Sequence, residues 1–237
     1  MKRFRWLCTG VFCLATVFAA QGQDDEYDYK EEITYGVTTN TNSGLIGGVM
    51  FKYAHAISPN QYRLMGVELV NVKHPKETRY NRTQNSFIPG KAIYFFALRP
   101  HYGREFVLFR KAPEDGVQLN LVTAAGPSIG ISKPYYVIYG ANLEDARSVP
   151  YSTSQDPTKT WGAGRFLEGF DQLKFNVGAH VKAGLSFEFG KLNNSVMGME
   201  VGGLLEAYSK EVLIIPNAGG NHFFSSAFFT LYYGNKY

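Results

Sequence analysis

The stretch LKFNVGAHVKAGLSFEF, residues 173–189, alternates without a break. Every odd position is apolar: Leu173, Phe175, Val177, Ala179, Val181, Ala183, Leu185, Phe187 and Phe189. The even positions are polar, charged or glycine: Lys174, Asn176, Gly178, His180, Lys182, Gly184, Ser186 and Glu188. A period of two marks an extended strand, whose successive side chains point to opposite faces. Strands of water-soluble sheets run about 3–10 residues, and this one is longer. A strand of a membrane barrel needs about 9–11 residues in the bilayer, and its ends project beyond it. The stretch therefore predicts one stave of a barrel, apolar face to lipid and polar face inward.

The pattern recurs on both sides. Between Val117 and Ser132, Val117, Leu119, Leu121, Ile129 and Ile131 share one face; Gln118, Asn120, Ser128, Gly130 and Ser132 share the other. Pro127 lacks the ladder donor, so a bulge is expected there. Weaker versions cover Ser195–Tyr208, with Met197, Met199, Val201 and Leu205 outward, and Leu45–Ile57. Counting all such runs gives eight strands: 30–41, 44–58, 61–73, 91–110, 116–133, 172–189, 195–211 and 222–234. The second, fourth and sixth connections are short: Ser58-Pro59-Asn60, Ala112 to Gly116, and Lys191 to Asn194. The third, fifth and seventh are longer, 74–90, 134–171 and 212–221, while the first, Asn42-Ser43-Gly44, is tight. Short periplasmic turns, long external loops and an even strand count are the rule for outer-membrane barrels. The fold class predicted is all-β, a closed antiparallel eight-stranded transmembrane barrel.

The N-terminus predicts export. Lys2, Arg3 and Arg5 precede an apolar run from Trp6 to Ala20, too short to cross about 30 Å of hydrocarbon as a helix. Ala20-Gln21-Gly22 supplies small residues at a cleavage point before Gln23, so 1–22 are expected as a signal peptide and 23–237 as the barrel domain. Cys8 and Cys13 lie inside the apolar run, which argues against a lipoprotein and leaves the exported chain without disulfides. Removing the three leader cations leaves 21 basic against 20 acidic residues, a balance that gives no support for nucleic-acid binding. Tyr and Phe number 16 and 18 against 2 Trp, and Gly 25, a composition that suits barrel strands.

At the other end Phe229, Leu231 and Tyr233 alternate, and the chain ends on the aromatic Tyr237. With the strand count and leader, this resembles the small OmpX/OmpA-type and PorT-like outer-membrane barrels. The resemblance covers the whole exported chain and is architectural; it carries no functional motif.

An eight-stranded barrel is only wide enough for side chains to fill it. The predicted inward set includes Glu32, Lys52, Glu68, Arg99, His101, Glu105, Lys174, His180, Lys182, Glu188, Glu200 and Glu206. Buried charges persist when paired, so a near-balanced set predicts an ion-pair network in a plugged barrel. Gly178, Gly184 and Gly202 are expected to leave room for the long charged side chains. His101 with Glu105 has the composition of a general base and its orienting carboxylate. The lipid-modifying barrels that this resembles carry a Ser two residues after the His, where this chain has Gly103, and no nucleophile is in reach. His222 with Ser225 and Ser226 is weaker still. Five scattered histidines give no metal-ligand spacing, and Gly162, Gly164 and Gly169 lack the Lys-Ser/Thr of a phosphate loop. No catalytic residue, metal or cofactor is predicted.

The fifth connection is unusually long for one without strand patterning, and such loops are functional or disordered. Its Tyr139, Arg147, Tyr151, Lys159, Trp161, Arg165 and Phe166 combine aromatics with cations, which suits an external contact surface. Three function classes stand. The favoured one is a non-enzymatic structural or binding barrel, an accessory subunit of a secretion or assembly complex if the PorT-like resemblance extends that far. The others are a narrow porin-like conduit and a lipid-modifying enzyme. Expected partners are outer-membrane lipid and lipopolysaccharide and other outer-membrane or secretion-complex proteins.

Overall fold

The computed structural model describes residues 30–82, 85–110, 116–189 and 195–237. The predicted signal peptide, and most of the turns predicted at Ala112–Gly116 and Lys191–Asn194, lie outside the described residues. In chain order the strands are β1 (Glu31–Asn40), β2 (Gly44–Ser58), β3 (Gln61–Val72), β4 (Tyr80–Arg82), β5 (Asn85–Phe87), β6 (Ile93–Phe109) and β7 (Gln118–Pro134). They continue with β8 (Tyr136–Tyr139), β9 (Arg147–Pro150), β10 (Thr160–Ala163), β11 (Lys174–Phe189), β12 (Ser195–Val212) and β13 (Asn221–Lys236).

Eight of these close into one barrel in the order β1-β13-β12-β11-β7-β6-β3-β2. All neighbours are antiparallel, and β1 pairs with both β2 and β13, so no edge remains. Closure gives each of the eight strands a hydrogen-bonded neighbour on both sides, as a bilayer demands. Among the described residues no helix is long and apolar enough to cross a membrane. The wall alternates as the sequence predicts. On β11, Val181 is 53% exposed on the outside while Lys182, one residue on, is 6% exposed inside. Val49, Phe51, Met65, Val67, Phe175, Val177, Leu205 and Leu231 stand exposed around the barrel, the apolar belt of a wall that faces lipid. The molecule is a transmembrane barrel, with short turns at the inner end and long connections outside.

The bulge expected at Pro127 is absent. Pairing of β7 with β11 runs unbroken from Lys174↔Ser132 to Glu188↔Gln118. Against β6 the same register holds on both sides of a gap, Leu98↔Ile129 and Tyr102↔Ala125, which sets Pro100 opposite Pro127. Two prolines facing each other remove donors from both strands at one place, so neither strand has to kink. The strands approach closely there: a Cβ on Gly126 would lie 2.1 Å from the Pro100 carbonyl oxygen.

The long connections are folded. Within 74–90 lies the hairpin β4–β5, and within 134–171 a three-stranded antiparallel sheet ordered β10-β8-β9. The absence of strand pattern expected for 134–171 is thus corrected. Strands of three or four residues are too short to show a period of two, and β10 pairs with β8 some twenty residues away.

Candidate functional site

Charged side chains that face the lumen are buried there: Lys52, Glu68, Arg99, Glu105, Lys182, Glu188, Glu200 and Glu206 are each 6% exposed or less. At the outer mouth an apolar layer combines Val72, Phe95, Ala97, Tyr208 and Val212 from the wall with Ile214 and Ile215 from the connection that follows β12. That connection folds inward, tied by Ala92 N–H donating to the Ile214 carbonyl at 2.9 Å. Phe95, Tyr208 and Phe224 pack ring on ring across the opening.

Below this layer come four tiers of charge. Outermost, Arg99 donates both Nε and Nη2 to Glu206, at 2.9 and 2.7 Å. Ser128 Oγ also donates to Glu206 (2.6 Å) and sits 3.0 Å from His180 Nδ1. Lys182 then bridges Glu68 at 2.6 Å and Glu200 at 2.9 Å. Next, Lys52 meets Glu105 at 2.9 Å, and Asn120 Nδ2 donates to the other oxygen of that carboxylate. Lys236 closes the inner end on Glu188 at 2.7 Å, with Glu32 at 3.8 Å from Lys236 and 3.9 Å from Lys52. A cation shared between two carboxylates explains how four basic side chains hold six acidic ones in so narrow a space.

Eleven of the twelve predicted inward residues stand in or beside these tiers. Lys174 does not: it is exposed at the outer end of β11, above the lumen, and makes no ion pair among the described residues. Lys236 takes a place that sequence reasoning missed, because the last strand was expected to stop at 234. The parity of Thr230, Tyr232 and Gly234 would have carried the inward face on to it. The glycines have another role than expected. A Cβ on Gly202 would come within 2.8 Å of the Phe228 ring, and one on Gly178 within 2.8 Å of Tyr208. They seat aromatic rings, and Phe228 in turn lies 4.4 Å under Lys182 Nζ.

The His101–Glu105 pair is not assembled. The Glu105 carboxylate is held by Lys52 and Asn120, while His101 Nδ1 lies 3.1 Å from the Arg99 carbonyl and its ring meets His180 edge-on. His222 Nδ1 contacts the Tyr208 carbonyl at 3.2 Å. Among the described residues no group of His, Cys, Asp and Glu is placed to hold a metal.

The external cap is fastened to this plug. Tyr135 is fully buried; its hydroxyl accepts from Ile88 N–H at 3.0 Å, and burial pushes the phenol up to about 12. Tyr151 accepts from Gly90 N–H at 3.1 Å, so the third and fifth connections are sewn together. Lys91, pushed down by burial, is held by Glu77 at 2.8 Å and lies 4.6 Å over the Tyr94 ring. Of the predicted contact residues, Tyr151 thus serves the cap internally, and Trp161 donates to the Gly140 carbonyl. Tyr139 pairs with Arg147 in register, and Thr160 pairs with Tyr139 on the other side. Arg147, Lys159, Arg165 and Phe166 are exposed.

Closure, belt, luminal ion pairs and cap define a small transmembrane β-barrel. Solved structures with this architecture are similar to it along nearly their whole length. The attachment invasion locus protein Ail of Yersinia pestis shares 11% identity over 89% of this chain and 100% of its own, with TM-score 0.43. Neisserial surface protein A shares 9% over 88% and 97%, with TM-score 0.40. The N-terminal β-barrel domain of Pseudomonas aeruginosa OprF shares 10% over 88% and 98%, with TM-score 0.34. All three are small barrels of the OmpX/OmpA type, and at such identity the likeness concerns the fold alone. No protein-family model and no curated sequence matches the chain.

Proposed function

We propose that the protein is a non-enzymatic barrel of the outer membrane, exported by residues 1–22 as a cleaved signal, that presents its folded external cap to a partner. One observation carries this: the lumen is closed by an apolar layer over four tiers of paired charge, while the residues outside it are organised into a sheet. A filled interior gives a solute no path, and organised surface above a rigid scaffold is where binding residues concentrate. The exposed Arg147 and Lys159 beside Tyr139 are the side chains on which recognition would centre. An accessory role in a secretion or assembly complex is the form such binding takes if the PorT-like resemblance extends to function.

Two measurements test this. In planar bilayers the purified protein gives no steady current; a large, stable single-channel conductance would overturn the plug and favour a porin-like conduit. In intact cells a cysteine at Thr158 is labelled by a membrane-impermeant reagent, and one at Ser58, in an inner turn, is not. The reverse pattern would place the cap in the periplasm. A photo-crosslinking residue at Tyr139 should then give a discrete adduct with an outer-membrane component, and its absence would remove the binding role.

A further inference from the structure

The segment from Arg165 to Gln172 does not continue the cap sheet. It lies against the outside of the barrel wall. Register places Phe96, Ile131 and Phe175 side by side on the lipid face of β6, β7 and β11. Two residues beyond Ile131, on the same face of β7, is Lys133. Its ammonium is covered by the rings of Phe166 at 4.5 Å, Tyr94 at 4.9 Å and Phe170 at 5.1 Å. It donates to the carbonyls of Phe166 and Glu168, and no carboxylate lies within ion-pair distance among the described residues. Phe166 also meets Phe96 edge-on, so its ring joins the top of the lipid belt.

Hydrogen bonds hold the segment in that place. Arg165 N–H donates to Glu168 Oε2 at 3.1 Å, and Gln172 Nε2 donates to Tyr136 Oη at 3.0 Å. Gly169 turns the chain with φ of 80°, where a Cβ would also meet the Tyr136 ring at 2.7 Å. Its free side is apolar: Leu167 is 78% exposed, Phe166 52% and Phe170 48%. Such a patch in water would be unusual, and this one is continuous with the belt that lipid covers. Arg165, Asp171 and Lys174, all exposed, flank it, and charged side chains beside an apolar patch suit a headgroup level.

We infer that residues 165–172 form a foot in the outer leaflet, with Phe166, Leu167 and Phe170 among the acyl chains and Lys133 as its pin. The foot fastens the cap to the bilayer surface and sets its tilt. It deepens the proposal above and rests on the barrel lying in a membrane. The fifth connection is divided by it: Arg165 and Phe166 meet lipid, while Tyr139, Arg147 and Lys159 are left for a partner.

Single cysteines in a chain carrying Cys8→Ser and Cys13→Ser test the foot. Leu167→Cys, Val177→Cys and Leu143→Cys are each labelled with a polarity-sensitive fluorophore and the protein is refolded into phosphatidylcholine–phosphatidylglycerol vesicles. Val177 is in the lipid belt, and Leu143 is exposed in the turn between β8 and β9. The Leu167 label should emit to the blue and lose most of its intensity to lipids bearing a doxyl group near the headgroup, as the Val177 label does. The Leu143 label should behave as in water. A water-like Leu167 label beside a quenched Val177 label overturns the foot alone. Blue emission at Leu167 without doxyl quenching also overturns it, because the side chain would then be covered by protein, such as a second copy. An unquenched Val177 label would refute the membrane setting and the foot together.

Discussion

Lys182→Met is expected to lower the stability of the barrel by about 3–5 kcal/mol, the cost of breaking a buried ion pair by removing one member. Lys182 holds two carboxylates, Glu68 at 2.6 Å and Glu200 at 2.9 Å, and all three side chains are buried mid-lumen. Methionine keeps much of the stem's volume, so the loss reports the charge and not a cavity. Two buried carboxylates would lose their shared cation between the Arg99–Glu206 and Lys52–Glu105 tiers, whose cations are already paired, with Phe228 on the side from which the ammonium was removed. The measurement is the urea midpoint of the heat-modifiable band shift in micelles. Adding Glu68→Gln and Glu200→Gln to the same chain should recover most of the loss, since neutral amides need no cation. A triple variant no more stable than Lys182→Met would mean that pairing is not what Lys182 contributes. The two carboxylates make this loss larger than the sequence suggests, because alternation shows which way Lys182 points but not how many partners it has.

That difference marks what the sequence makes legible. The barrel was legible because its dominant signal is local: a strand exposed to lipid on one side and packed lumen on the other must alternate, as residues 173–189 do. Inward placement of Glu206 or Lys52 follows from the same parity. Which carboxylate meets which cation does not, because Arg99 and Glu206 are 107 positions apart and become partners only through closure of the ring. The apolar mouth was invisible for a related reason: Ile214 and Ile215 look like loop residues until the connection folds inward onto Phe95 and Tyr208. In the cap, strands as short as Tyr136–Tyr139 have too few residues for a periodic signal, and their order depends on pairing across long separations. Pro127 misled in the opposite direction. A lone proline in a strand predicts a bulge, but Pro100 on the neighbouring strand makes the interruption mutual and keeps the register.

Val181→Arg tests the other face of the strand that carries Lys182. Val181 is 53% exposed and lies in register with Leu205 on β12 and Ala125 on β7, near the middle of the belt. A guanidinium there would face hydrocarbon with no carboxylate on the neighbouring outward positions. Such substitutions in membrane barrels cost about 2–4 kcal/mol at the midplane. The expected result is a barrel that inserts poorly into vesicles and loses its heat-resistant band at lower temperature. Unlike the loss at Lys182, this one should persist when Glu68 and Glu200 are made Gln, because the lumen is not involved. It should also shrink sharply when the arginine is moved along the same face to Phe175, near the outer interface, where it can reach the headgroups. The two faces are separated by a single residue, so a one-residue slip would exchange them completely. A Val181→Arg protein that folds normally, beside a Phe175→Arg protein that does not, would place the lipid midplane elsewhere on the wall. If Val181→Arg were instead rescued by the Gln pair, position 181 would point inward and the tiers of the lumen would have to be redrawn.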